Sequence, residues 1–179
     1  NNGAVYVAVS YQSAPKPRLD LYSSGDGGSQ REAVFGMGEA SPPMAFTADA
    51  NNKLYLAAAS LLTSADGGLS WTKLNLPDSL IGHFSFLFFL NENIGWVTAS
   101  TYILRTTDGG ATWKKTDIGS PADLQFLNSS IGYVATTNGL YKSVDGGASF
   151  QKIAGAGSDQ YNGVFFFDEN NGWVTGGDF

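Results

Sequence analysis

An all-β fold of short antiparallel strands is predicted by three observations on the 179-residue sequence. Glycine is abundant (23) and proline scarce (6), and both are spread between short apolar runs, as expected when many tight turns join many strands. One phrase recurs as TSADGGLSW at 63–71, RTTDGGATW at 105–113 and KSVDGGASF at 142–150, with a looser SSGDGGSQ at 23–30. Its aspartates, Asp26, Asp66, Asp108 and Asp145, are spaced by 40, 42 and 37 residues, a period of about 40 residues that suits one four-stranded unit. A second phrase keeps step with the first: ENIGWVTAS, SSIGYVATT and ENNGWVTGG place Trp96 and Tyr133 each 12 residues before the next DGG aspartate.

Each strand of the unit follows from these phrases. The apolar runs FSFLFFL (84–90) and GVFFFDE (163–169) are expected to form a first strand, A, buried on both faces. The G-W-V phrase opens strand B after a hairpin turn, where Gly95, Gly132 and Gly172 are expected to supply a positive φ. YILRT and GLYKS form a short strand C, and ATWKKT and ASFQKI form strand D. The DGG phrase then explains itself as the clasp of the C–D hairpin. Its aspartate accepts from backbone donors just beyond it, its glycines take conformations a side chain forbids, and its aromatic packs back over the turn. The clasp residues are Ser64, Asp66, Gly68 and Trp71; Thr106, Asp108, Gly110 and Trp113; and Ser143, Asp145, Gly147 and Phe150.

Counting strands divides one domain, 1–179, into units at about 1–43 (strands B–D), 44–82, 83–121, 122–160 and 161–179 (strands A–B). The closing GWVTGGDF, 172–179, is surplus to a closed four-unit ring. The expected form is therefore an arc of a larger assembly or a chain whose exposed end strands pair with a neighbouring copy, with a compact ring as the alternative.

Composition narrows the function. Ten Lys and Arg against 16 Asp and Glu give a net charge of -6, which repels a nucleic-acid backbone. With no cysteine and one histidine there is no thiolate or imidazole metal cluster, and no D-x-D-x-D-G calcium loop occurs, so no metal or cofactor is expected. The longest apolar run is too short to span a bilayer as a helix. The closing GGDF matches a cyclase loop in letters alone, without the α/β setting that loop requires.

The pattern S/T-x-D-G-G-x-S/T-W/F resembles the Asp-box, or BNR, repeat of bacterial β-propellers. Combined with the G-W-V phrase, it is most similar to the photosystem II assembly and stability factor type. The resemblance covers nearly the whole chain and implies a propeller, or propeller arc, of four-stranded antiparallel blades, about four to five blade equivalents in all. It is nearly silent on function, because hydrolases, receptors and assembly factors share the motif. The arginine triad and F/Y-R-I-P phrase of sialidases are not matched by Arg18, Arg31, Arg105 and the PRLD at Pro17.

Ligand-facing residues are expected on the face opposite the A–B and C–D turns, where the repeat dictates no residue type. That face, made by B–C loops and D–A connections, comprises Tyr11, Lys16, Arg18, Glu39, Asp78, His83, Tyr102, Asp123, Asp159 and Tyr161. The expected function is a non-catalytic binding or assembly scaffold, secreted, periplasmic or at the cell surface, that recognises a protein or extracellular polysaccharide there. Two alternatives stand beside it. One is a glycoside hydrolase of Asp-box propeller type, whose paired carboxylates, roughly 5 to 9.5 Å apart, would be Asp78 with Asp123 or Asp159. The other is a structural subunit that self-associates through open end strands.

Overall fold

The structure, a computed structural model, describes the backbone of residues 5–11, 18–24, 32–38, 45–58, 60–77, 84–154 and 160–177, with side chains from residue 45 onward. The described strands form five antiparallel sheets in chain order. The first sheet holds β1 (Val5–Tyr11), β2 (Arg18–Ser24) and β3 (Glu32–Gly38). The second holds β4 (Ala45–Ala48), β5 (Leu54–Ala57), β6 (Leu61–Ser64) and β7 (Thr72–Lys73). The third holds β8 (Phe84–Phe89), β9 (Gly95–Ala99), β10 (Tyr102–Thr106) and β11 (Lys114–Asp117). The fourth holds β12 (Pro121–Phe126), β13 (Gly132–Thr136), β14 (Gly139–Ser143) and β15 (Gln151–Lys152). The fifth pairs β16 (Tyr161–Phe166) with β17 (Gly172–Gly176). Pro121, the last residue of the third unit by sequence, is instead the first of β12, a position where its missing N–H costs no ladder bond.

The first strands of successive sheets pack on one another, β4 on β8, β8 on β12 and β12 on β16, so the sheets radiate like blades from a shared inner edge. The core lies between the sheets rather than inside any one of them. Tyr55, Leu61 and Leu74 meet Phe84, Leu87 and Phe89 at the first described junction. Trp96 and Ile103 meet Leu124 and Phe126 at the next. Tyr133 and Leu140 meet Tyr161 and Val164 at the third.

One contact recurs at each of the three described junctions. The aromatic that opens strand B lies flat on the phenylalanine that closes strand A of the following sheet: Tyr55 on Phe89 (centroids 3.6 Å apart, 7° between planes), Trp96 on Phe126 (3.7 Å, 6°) and Tyr133 on Phe166 (3.6 Å, 5°). This stack explains the glycine of the G-W-V phrase and corrects the expected reason for it. Gly95, Gly132 and Gly172 are not among the positive-φ residues. They face the phenylalanine across their own hairpin, where a Cβ on Gly95 would stand 2.5 Å from the Phe89 ring and one on Gly132 would strike Phe126. In the second sheet the volumes are exchanged, with Ala48 opposite Leu54 in place of phenylalanine opposite glycine.

The A–B turn itself is held by a carboxamide or carboxylate four residues before that glycine. Asn91 Oδ1 accepts from the N–H groups of Asn93 (2.9 Å) and Ile94 (3.0 Å), and Asn128 and Asp168 repeat the arrangement. Strand A is less buried than expected. Ser85 of β8 is exposed and Phe86 and Phe88 are half-buried, whereas every residue of β5, β9 and β13 is buried. The second strand has neighbours on both edges and sheets on both faces, while the first is an edge strand.

Candidate functional site

The three described DGG turns are built alike. In the first, Ser64 Oγ donates to Asp66 Oδ1 (2.7 Å) and accepts from Gly68 N–H (2.8 Å). Asp66 then accepts from Ser70 N–H (2.9 Å) and Ser70 Oγ (2.6 Å). Thr106, Asp108, Gly110 and Thr112 repeat these bonds, as do Ser143, Asp145, Gly147 and Ser149. Both glycines of each turn have positive φ, from 72° to 95°, as expected. The tryptophans close the clasp: Trp71 Nε1 donates to Gly68 O (3.0 Å) and Trp113 Nε1 to Gly110 O (3.2 Å). Phe150, which has no donor, packs against the core between the third and fourth sheets.

These bonds hold each aspartate in its ionised form. Asp66, Asp108 and Asp145 are lowered from 3.8 to about 2, chiefly by the side-chain bond from Ser70, Thr112 or Ser149. An acid with a depressed folded pKa contributes stability that is fully present above 3.8 and lost as pH falls toward about 2. Thermal melts across that window should show a steep loss of stability. Replacing all three by asparagine should flatten the loss, and an unchanged slope would show that the acid sensitivity resides elsewhere.

The two kinds of turn share a rim. Gly109 N–H donates to Asn93 O (2.9 Å) and Gly146 N–H to Ser130 O (2.7 Å), tying these two DGG turns to the A–B turns of their own sheets. At the opposite end, Ile118 N–H donates to Thr101 O (3.1 Å) and Thr137 N–H to Ser120 O (3.3 Å), joining D–A connections to B–C loops. The DGG aspartates are thus on the far rim from the loop face, each spent on its own hairpin. A cavity of about 350 Å³ beside Lys53, Thr63, Asp66 and Thr72 also lies on the DGG side.

Of the residues expected on the loop face, Lys16, Glu39, Asp78, His83 and Asp159 lie outside the described residues. Tyr11 and Arg18 are register partners across the β1–β2 hairpin, at the base of the long B–C insertion. Tyr102 opens β10, half-buried, with Lys115 Nζ 4.7 Å from its ring centroid, and Lys115 also pairs with Asp117 at 2.8 Å. Tyr161 corrects its expectation. It is 4% exposed and belongs to the core between the fourth and fifth sheets, because the first position of strand A turns inward.

Asp123 is also placed differently. Its Oδ2 accepts from Val164 N–H of the next sheet (3.0 Å) and its Oδ1 from Leu124 N–H (2.8 Å). Two residues on, Gln125 grips the same strand at both ends of its amide, accepting from Phe166 N–H (2.6 Å) and donating to Phe166 O (3.1 Å). Asp123 and Gln125 therefore fasten β12 to β16. The sequence offers no flag for this clamp beyond two polar side chains in an apolar strand.

Burial raises the Asp123 pKa, against the lowering effect of its two backbone bonds. A raised folded pKa makes the folded state favour the proton, so this group's contribution is largest at low pH and declines as pH rises through the folded value. Asp123→Asn, which keeps its oxygen for Val164 N–H but sets its amide nitrogen against Leu124 N–H, should cost less than about 1 kcal/mol at neutral pH. Asp123→Ala, which orphans the Val164 donor, should cost about 1–3 kcal/mol in denaturant unfolding. Equal losses in both variants would contradict the clamp.

Among the described residues, no group of three or more His, Cys, Asp or Glu is placed to hold a metal ion. No described helix is long and apolar enough to cross a membrane.

No family model and no curated protein matches the chain. Solved structures do. YCF48 from Cyanidioschyzon merolae superposes with a TM-score of 0.70 at 15% identity, over 89% of this chain and 60% of that one. A structure of YCF48 bound to D1 peptide gives 0.62 at 17% identity, over 93% and 61%. An ancestral GH74 enzyme gives 0.66 at 18% identity, over 89% of this chain and 25% of that one. These likenesses establish the fold, a partial β-propeller of several blades, and the chain spans about three fifths of the length of the YCF48 chains.

Proposed function

We propose that the chain is a non-catalytic binding scaffold that recognises a protein segment through its B–C and D–A loop face, outside the cytoplasm. The observation that carries this reading is the fate of the carboxylates. The DGG aspartates are committed to their own turns on the opposite rim, and Asp123 is committed to the β16 backbone. A similar fold has been solved with a peptide bound, which supports a protein partner over a polymer. The family resemblance supports an assembly role of the photosystem II factor kind, and the long insertion between Tyr11 and Arg18 is the loop offered for contact.

The glycoside hydrolase alternative has the GH74 likeness in its favour. It would need Asp78 and Asp159 to act without Asp123, whose carboxylate oxygens are engaged. One experiment separates the two. The chain is titrated against an arrayed set of extended peptides and, in parallel, incubated with xyloglucan and mixed-linkage β-glucan under a reducing-end assay. The scaffold predicts saturable peptide binding that Tyr11→Ala or Arg18→Ala weakens at unchanged melting temperature, with no sugar release. Release of reducing ends that Asp78→Ala abolishes would replace the scaffold with the enzyme.

A further inference from the structure

Three described asparagines stand directly before a glycine: Asn138 before Gly139, Asn162 before Gly163 and Asn171 before Gly172. Such a pair carries a reaction of its own, because the glycine nitrogen can attack the asparagine Cγ and no side chain on the glycine hinders the approach. The fold treats the three pairs differently.

Asn171 is held. Its Nδ2 donates to both oxygens of Asp168 (3.0 and 2.9 Å) and its N–H to Asp168 Oδ1 (2.9 Å). A second carboxylate at that position would stand against one already kept ionised by these bonds. Asn162 is exposed, but it lies inside β16 as the extra residue of a bulge. Its neighbours Tyr161 and Gly163 are both paired with β17, and Tyr161 is buried in the core.

Asn138 has neither restraint. With Thr137 it forms the two-residue B–C turn between β13 and β14, outside the ladder and exposed. Its N–H donates to Thr136 Oγ1 (3.0 Å), but its carboxamide makes no hydrogen bond among the described residues. The carboxamide lies over Gly119, where an added Cβ would stand 3.4 Å from Asn138 Nδ2. Gly139 has a φ of 133°, so the chain leaves the turn in a conformation that favours glycine.

We propose that Asn138 is a site of covalent modification, deamidation through a cyclic imide. The Gly139 nitrogen gives up its proton to water and bonds to Asn138 Cγ, and the Cγ–Nδ2 bond breaks as ammonia leaves. Water then opens the ring at either carbonyl to give aspartate or isoaspartate, with no change in oxidation state. Both products add a carboxylate to the B–C turn of a chain whose net charge is already -6. Isoaspartate also lengthens the main chain by a methylene. Thr137 N–H is bonded to Ser120 O (3.3 Å), so that change reaches the adjoining D–A connection. The modification therefore alters the charge and shape of the loop face as the protein ages, and its chemistry does not depend on what that face binds.

The test incubates the folded chain at mildly alkaline pH in heavy-oxygen water. Peptide mapping by mass spectrometry then follows label uptake at each Asn-Gly pair, and an isoaspartyl methyltransferase assay follows isoaspartate. Label should enter at Asn138 several-fold faster than at Asn162 or Asn171, and Asn138→Gln should remove most of the isoaspartate signal. In urea the three rates should converge. Uptake in the folded chain that is no faster at Asn138 than at the other two would overturn the proposal. So would an unmodified Asn138 in the folded chain after the unfolded chain has fully converted.

Discussion

Trp96→Ala is expected to cost about 3–5 kcal/mol of unfolding free energy, the usual range for truncating a fully buried aromatic. Trp96 is 0% exposed, lies 3.7 Å above Phe126 and bonds Gly146 O across fifty residues of sequence. Truncation would empty the space between the third and fourth sheets and orphan a buried carbonyl. Trp96→Phe keeps a ring on Phe126 and loses chiefly the hydrogen bond, so it should cost the smaller sum of about 0.5–1.5 kcal/mol for the bond and a partial cavity. The control is Trp173→Ala, the same position of the repeat with Phe167 at its edge and, among the described residues, no phenylalanine of another sheet stacked on it. At 61% exposure it should fall within about 0.5 kcal/mol of the parent. Urea unfolding monitored by circular dichroism reads all three, and similar costs for Trp96→Ala and Trp173→Ala would refute the idea that the aromatic works through the following sheet.

That contrast marks how far the sequence could be read. The period, the strand order and the clasp at Asp66, Asp108 and Asp145 were legible because each is a local arrangement repeated in register. A turn that needs a short acceptor and two glycines can be spelled in few ways. The role of Gly95 and Gly132 was hidden because positive φ and steric clearance leave the same letter, and the ring that demands clearance stands across the hairpin. Tyr161 and Asp123 went astray for a related reason. Both stand near the start of a first strand, where side-chain direction follows the register slips at Pro121/Asp123 and Tyr161/Gly163. A bulge re-aims side chains without leaving a signature in composition. The Gln125 grip on Phe166 is a contact between sheets, and no period within one unit encodes it.

The glycines that lead each clasp allow a sharper test, because two of them share a conformation and differ in surroundings. Gly109 and Gly146 have φ of 72° and 75°, so an added Cβ imposes the same backbone strain on each, about 1–2 kcal/mol. What the new methyl meets is different. At Gly109 the nearest atom is Glu92 O at 3.0 Å, which a small shift of an exposed turn relieves. At Gly146 it meets Ser129 O at 2.5 Å and the Arg105 guanidinium at 2.9 Å. Both carbonyls belong to exposed, Asn-capped turns whose next carbonyl already accepts from the clasp, so the two sites differ in the closer approach at Gly146 and in the Arg105 guanidinium beside it. Displacing the turn at Gly146 would also lift Gly146 O from Trp96 Nε1 and unsettle the central stack. Gly146→Ala should therefore cost about 3–5 kcal/mol, strain and overpacking together, against about 1–2 kcal/mol for Gly109→Ala. Arg105→Ala in the Gly146→Ala background removes one of the two obstacles and should recover part of the loss. If the two alanine variants melt together, conformational strain alone governs these glycines, and the DGG turn owes nothing to the sheet beside it.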